Sequence, residues 1–324
     1  MITPWDLLTS EIMRYPLIIA VLMGLTAPIV GTYLVQKRLS LLGDGLGHVS
    51  LTGVAIGWLV GAWLQTDPND LLAVPGALIA SVIGALLIEF VREVGHTSRD
   101  VAMAILFYGG IAGGVVIIQL AGGTSTSLMG YLFGSLATVT GTDLVISVVL
   151  AVIVLAVGLG LSRLLYAVTS DEEFARASGL PVRAVNVLIA LIAALTVTLA
   201  MRIIGALMVS ALMIVPVAAA QTMVVGFTRT MRTAMGIGVV CSFGGLVLTA
   251  YVDLPPGGVI VLIAIAIYAI GLVVRAIREH VGSGRAVAAE ATDEAEGTDA
   301  ANGADGADGA DRHGPLDAAR VRTR

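Results

Sequence analysis

The feature that most constrains this chain is a succession of long apolar runs separated by short polar turns. Nine such segments are legible, at roughly 16–35, 40–61, 74–91, 101–119, 143–162, 187–201, 203–225, 234–251 and 257–275. A helix needs about 20 mostly apolar residues to cross a bilayer, within a range of about 17–25. In hydrocarbon every backbone N–H and C=O must find an internal partner, which leaves helices as the structure such continuous runs can adopt. The expected fold is therefore an all-α polytopic membrane protein with eight to nine transmembrane helices. The sixth segment is short for a span, so a tilted or partial helix there gives the lower count. Of 324 residues, 57% are hydrophobic and 13% charged, with a mean hydropathy of +0.96. Soluble domains carry about a quarter charged residues.

Basic residues orient the spans. With the N-terminus outside, Lys37, Arg38, Arg92, Arg99, Arg163, Arg176, Arg183, Arg229, Arg232, Arg275, Arg278 and Arg285 all fall on the cytoplasmic side. Only Arg14 and Arg202 fall outside. The positive-inside rule selects this arrangement, with the C-terminus cytoplasmic. The start, "MITPWDLLTSEIMRYPLIIA", lacks the basic opening and small-residue cleavage site of a signal peptide, so the first span is expected to stay as an anchor.

Two loops interrupt the pattern. Residues 120–142 carry no charge until Asp143 and read as an outer loop holding a short helix, "SLMGYLFGSLA". Residues 166–186, "YAVTSDEEFARASGLPVRAVN", read as a cytoplasmic segment with a short amphipathic helix. Ser170 or Asp171 is its expected N-cap, acids fill its first turn, and Gly179 with Pro181 ends it. The division is a permease domain over 1–282 and an acidic cytoplasmic tail over 283–324. The tail is Gly-Ala-Asp repetitive, without apolar periodicity, and is expected to be disordered. The formal charge of −5 comes mostly from it.

Absences narrow the function. Lys37 is the only lysine; "YLVQ" precedes it and "RLS" follows, so no phosphate-binding loop is present. No HExxH metalloprotease signature occurs, and a single cysteine, Cys241, excludes a disulfide framework or a cysteine-built zinc site within one chain. The chain is expected to catalyse no bond chemistry.

One polar pair stands out. The stretch "LSLLGDGLGHVSLTGVAIGWLVG" places Asp44 and His48 inside an otherwise apolar helix. Positions i and i+4 share a helix face, about 5–6 Å apart at Cβ. Ionisable groups within spans usually face a bundle interior or a water path. A carboxylate and an imidazole together suit zinc, manganese and iron(II). Two ligands are few; a symmetric homodimer with this helix near its twofold axis supplies four. The competing reading makes Asp44 a helix cap and His48 a hydrogen-bonded core residue. The Gly43/Gly47 and Gly53/Gly57 spacings are small-xxx-small faces that allow close helix approach.

The same stretch resembles the signature region of the permease subunits of ABC importers for zinc, manganese and iron(II). That family carries Gly-Asp-x-(Leu/Ile)-x-His-x-x-(Leu/Val)-x-Gly-(Val/Ile)-Ala in its second span. "SDEEFARASGL" resembles the family's cytoplasmic coupling segment, "GALMVSALMIVPVAAA" (205–220) its Gly-x-Leu-(Leu/Met)-Val-x-Ala stretch, and "VDLPPGGVIVL" (252–262) the turn before its last span. The matches run in order over about 15–278. Here glycines replace the small residues that many relatives carry between the two ligands. The resemblance implies a homodimeric permease in the bacterial cytoplasmic membrane. It also implies an ATP-binding-cassette ATPase docked on the cytoplasmic side and an extracytoplasmic binding protein that delivers the metal. Asp44 and His48 would line the path. Asp171, Glu172, Glu173, Ala175, Arg176 and Gly179 would couple to the ATPase. The metal is transported cargo, zinc favoured on ligand chemistry; no cofactor is expected to stay bound, and no nucleic acid is an expected partner.

Other candidates carry two readings each. Met208 and Met213 offer soft sulfurs to a metal or fill core gaps. Pro216 bends its helix for gating or only for shape. Glu89, three residues from Arg92, is a snorkelling, paired acid or a ligand. Asp143 and Asp253 cap helices or attract cations, and His96 is a solvated loop residue or a sensor. At the level of mechanism, the alternatives are a proton-coupled secondary transporter and a permease for a chelate such as a siderophore or cobalamin.

Overall fold

The computed structural model describes residues 11–66, 71–94, 99–122, 125–135, 139–252, 254–278 and 280. Among these the regular structure is entirely helical. In chain order the helices are α1 (Glu11–Gln36), α2 (Leu42–Leu64), α3 (Ala73–Val94), α4 (Arg99–Leu120), α5 (Ser125–Phe133), α6 (Gly141–Gly160) and α7 (Ser162–Ser170). They continue with α8 (Glu172–Ala177), α9 (Val182–Ile204), α10 (Val209–Met223), α11 (Phe227–Tyr251) and α12 (Pro256–Arg278). Eight of the described helices, α1, α2, α3, α4, α6, α9, α11 and α12, are long and apolar enough to cross a membrane; α10 is apolar but shorter. Contacts divide the chain into a unit over Met1–Leu272 and a second over Val273–Arg324, which begins within α12. His96, Asp253 and the tail at 283–324 lie outside the described residues.

The helices α1 and α9 are the most enclosed, and their apolar faces form the main core. α2 packs on α3 and α4, and α11 packs on α1. Small residues make these contacts close, as helix association in lipid requires, where no hydrophobic drive separates helix from solvent. Both glycine pairs of α2 are used within the chain. A Cβ on Gly53 would lie 2.3 Å from the Gly76 carbonyl oxygen of α3, and one on Gly47 would lie 2.7 Å from the Ala206 oxygen. Outward faces carry exposed large apolar residues, among them Ile79, Ile83, Ile105, Leu262 and Ile270. A contiguous apolar exterior of this kind matches hydrocarbon rather than water.

The sixth and seventh segments correct the expectation. The short piece is not the sixth: α9 is a full span that starts at Val182, inside the segment read as cytoplasmic. Arg183 and Asn186 lie in its first turns, and their polarity hid that end from a hydropathy reading. The seventh segment, read as continuous over 203–225, breaks at Gly205, whose φ of +89° no helix accommodates. All its neighbours are apolar, so hydropathy alone could not see the break.

That break is held by α5. Tyr131 and Leu132 carbonyls, left unpaired at the C-terminal end of α5, accept from the N–H groups of Ala206 (2.9 Å) and Leu207 (3.2 Å). Orphan acceptors of one helix end thus satisfy orphan donors beside another. In lipid each such group left unpaired is costly. The fit demands glycine on both sides: a Cβ on Gly134 (φ +83°) would lie 1.9 Å from the Ile203 oxygen, and one on Gly205 would lie 2.2 Å from the Leu132 oxygen. The short helix read in the outer loop is therefore present, somewhat earlier than expected, and has a packing role.

Candidate functional site

Asp44 and His48 lie in the first two turns of α2, on the face that meets α10 and α4. Asp44 does not cap the helix. The N-cap residue is Leu41, which makes no side-chain capping bond, and Asp44 sits in the first turn, where the helix dipole favours a carboxylate. Its Oδ1 accepts a hydrogen bond from Ser210 Oγ at 3.3 Å, from the first turn of α10. Met213 also reaches this helix: its sulfur lies 3.3 Å from the position a Cβ on Gly43 would take. The break at Gly205 is what brings α10 here, since Ala206 rests on Gly47 and the chain restarts against Gly43 and Asp44, one turn nearer the start of α2.

His48 is buried, 1% exposed, while the Asp44 side chain keeps 28% exposure. Nε2 of His48 stands 3.8 Å from Asp44 Oδ1, in ion-pair range but beyond a hydrogen bond. Nδ1 is buried with no hydrogen-bond partner among the described residues. The ring is seated edge-on against Phe107 of α4, with centroids 4.3 Å apart. α4 approaches this closely because Gly110 faces the His48 backbone, where a Cβ would lie 2.6 Å from the His48 carbonyl carbon. Thr52 Oγ1 then donates to the Gly110 oxygen at 2.7 Å, tying α2 to α4. The imidazole is thus fixed by packing rather than by hydrogen bonds. A buried donor or acceptor left unpaired costs about 1–3 kcal/mol. The hydrogen-bonded core reading of His48 does not describe this arrangement.

The remaining candidates divide. Among the described residues no cluster of three or more His, Cys, Asp or Glu side chains lies together. Met213 is fully buried and Met208, partly buried, is the N-cap residue of α10. Pro216 lies inside α10, and the helix runs through it; the interruption is upstream, at Gly205. Asp143 serves the helix cap: its Oδ2 accepts from Thr140 N at 2.9 Å while its own N–H donates to Oγ1 of the N-cap residue Thr140 at 3.3 Å, closing a capping box on α6.

The candidates between Asp171 and Gly179 form α8 and its ends. Asp171 is the N-cap residue and accepts from Phe174 N at 2.9 Å. Glu172 meets Arg176 at 3.4 Å, Glu173 is exposed, and Gly179 takes a φ of +77° beyond the helix end. Ala175 is buried, so it seats the helix rather than facing outward. Phe174, 70% exposed, is the residue that sequence reasoning missed here; it is the only large apolar side chain between Asp171 and Gly179. Ser210 was missed as well, and a partner 166 positions from Asp44 leaves no local signal.

Comparisons with known proteins agree with this architecture. The family model described as "ABC 3 transport family" matches residues 9–275. The manganese transport system membrane protein MntC of Halalkalibacterium halodurans is 30% identical over 265 residues, covering 82% of this chain and 88% of that protein. The high-affinity zinc uptake system membrane protein ZnuB of Haemophilus influenzae is 28% identical over 266 residues, covering 81% and 97%. Among solved structures, PsaBC from Streptococcus pneumoniae in complex with Fab superposes with a TM-score of 0.73 at 26% identity, covering 83% of this chain and 94% of that one. The match over most of the chain, with the eight apolar spans, makes this a multi-pass membrane protein of the ABC 3 transport family, the permeases of metal ABC transporters.

Proposed function

We propose that this chain is the membrane-spanning subunit of an ATP-driven importer for a divalent transition-metal ion, and that the ion passes Asp44 and His48. The observation that carries the reading is the unpartnered Nδ1 of a buried, packing-fixed imidazole beside a carboxylate 3.8 Å away. A nitrogen held dry without a partner is available to a cation. Oxygen and nitrogen donors suit zinc, manganese and iron(II); zinc is favoured, and the named relatives include manganese and zinc systems. Two donors per chain make a weak site, as transport requires release. Two copies across a twofold axis double the set. Asp44 is the open member and His48 the enclosed one, so exposure of the imidazole is the step a conformational change would control. Met208 and Met213 would border the path, and Pro216 would shape the helix that carries them.

In this reading the N-terminus is outside and α8 is cytoplasmic. An ATPase subunit docks on residues 171–179, and an extracytoplasmic binding protein delivers the metal. The domain over 1–282 transports; the tail over 283–324 does not. The test is metal uptake by the assembled transporter with Asp44→Asn and with His48→Ala. Both should assemble with the ATPase and lose uptake; normal transport by both variants overturns the assignment.

A further inference from the structure

The only lysine of the chain is unused by the site, and its surroundings are specific. Lys37 follows the last residue of α1 and its side chain is 6% exposed. Its Nζ donates to Asn186 Oδ1 of α9 and lies 3.7 Å from Glu172 Oε2 of α8. Asn186 Nδ2 in turn donates to Glu172 Oε1 at 3.4 Å. One buried ammonium thus joins the α1–α2 turn to α8 and to the start of α9.

The turn itself is tense. Arg38 N donates to the Val35 oxygen at 3.1 Å and Leu39 N to the Leu34 oxygen at 2.8 Å, the paired bonds of a helix-ending motif that normally places glycine at the left-handed position. Here that position is Arg38, with φ +58°. A narrow cleft of about 20 Å³, lined by Lys37, Leu39, Leu42, Glu89 and Asn186 among others, lies beside it. The segment from Lys37 to Leu41 therefore carries a non-glycine left-handed residue at Arg38 and is tied through Lys37 to α8 and α9. It leads directly into α2, with Asp44 three residues beyond.

We propose that Lys37 is a positioning residue that carries movement of α8 to Asp44. Displacing α8 pulls Glu172 against Lys37, Lys37 shifts the Arg38 turn, and the turn rotates the first turn of α2 with its carboxylate. Asn186 keeps the pair in register with α9. The proposal rests on the reading of α8 as the ATPase docking element.

The experiment uses the complete transporter in proteoliposomes, with its ATPase and binding protein, and reads zinc or manganese moved per ATP hydrolysed. Lys37→Met should keep ATP hydrolysis and lower metal moved per ATP about tenfold, within the range by which single residues tune coupling. Lys37→Arg, which keeps the charge, should restore most of that ratio; Asn186→Val should lower it. A ratio unchanged in Lys37→Met and Asn186→Val overturns the proposal while leaving α8 as the docking element. If Lys37→Met does not assemble, the Lys37→Arg and Asn186→Val ratios decide: a full ratio in Asn186→Val overturns it. Failure of the docking reading shows separately, as unchanged ATPase co-purification in Phe174→Ala, and overturns the proposal with it.

Discussion

At the scale of single residues, Asp44 and His48 differ in how they are held. Asp44 has a hydrogen-bond donor in Ser210, whereas His48 has only packing from Phe107 and the glycine-lined face of α4. A hydroxyl that orients a metal-binding carboxylate is worth about 10–100-fold in affinity, so Ser210→Ala should raise the metal concentration for half-maximal uptake by about tenfold. Assembly should be unaffected; transport titrations on the purified complex measure it. The pair itself was legible in the sequence because ionisable residues at i and i+4 in an apolar run are conspicuous. Ser210 was not, because only the Gly205 break folds α10 back onto α2, and hydropathy is blind to φ.

At the scale of elements, the seam between α5 and the α9–α10 break is the part most exposed to test. Gly134 and Gly205 each have a positive φ, which costs other residues about 1–2 kcal/mol, and a Cβ on either would clash with a carbonyl oxygen. Gly122 also has a positive φ (+76°), but a Cβ there would meet nothing within 4 Å. Gly134→Ala and Gly205→Ala should therefore lower the thermal midpoint in detergent well beyond Gly122→Ala. Equal losses for all three would mean that backbone strain alone matters and the seam does not. The α8 element offers a second test. Asp171→Ala removes the cap of a six-residue helix, a loss of about 1 kcal/mol, and should weaken ATPase co-purification. Element types and most spans were readable from the apolar runs. The lengths of α9 and α10 were not, since polar residues at one helix end and an apolar break mislead in opposite directions.

At the scale of the whole molecule, three features lie in series along the chain. The α5 seam fixes the break, the break presents α10 to Asp44, and Lys37 ties the approach to α2 to α8. This sequence of contacts lets a movement at one surface reach a carboxylate inside the bundle without any bond chemistry in the chain. Truncation after residue 282 should leave uptake unchanged, as metal accumulation by the truncated transporter measures. Fold class and family were legible from composition and ordered motifs. The linkage between α8 and α2 was not, because it depends on one lysine, one asparagine and one glutamate that are far apart in sequence. The most direct test of the account is accumulation of zinc, manganese and iron(II) in vesicles carrying this chain, with and without the ATPase partner and ATP. Uptake of at least one ion only when ATPase and ATP are both present is the predicted result; uptake that persists without them contradicts the account.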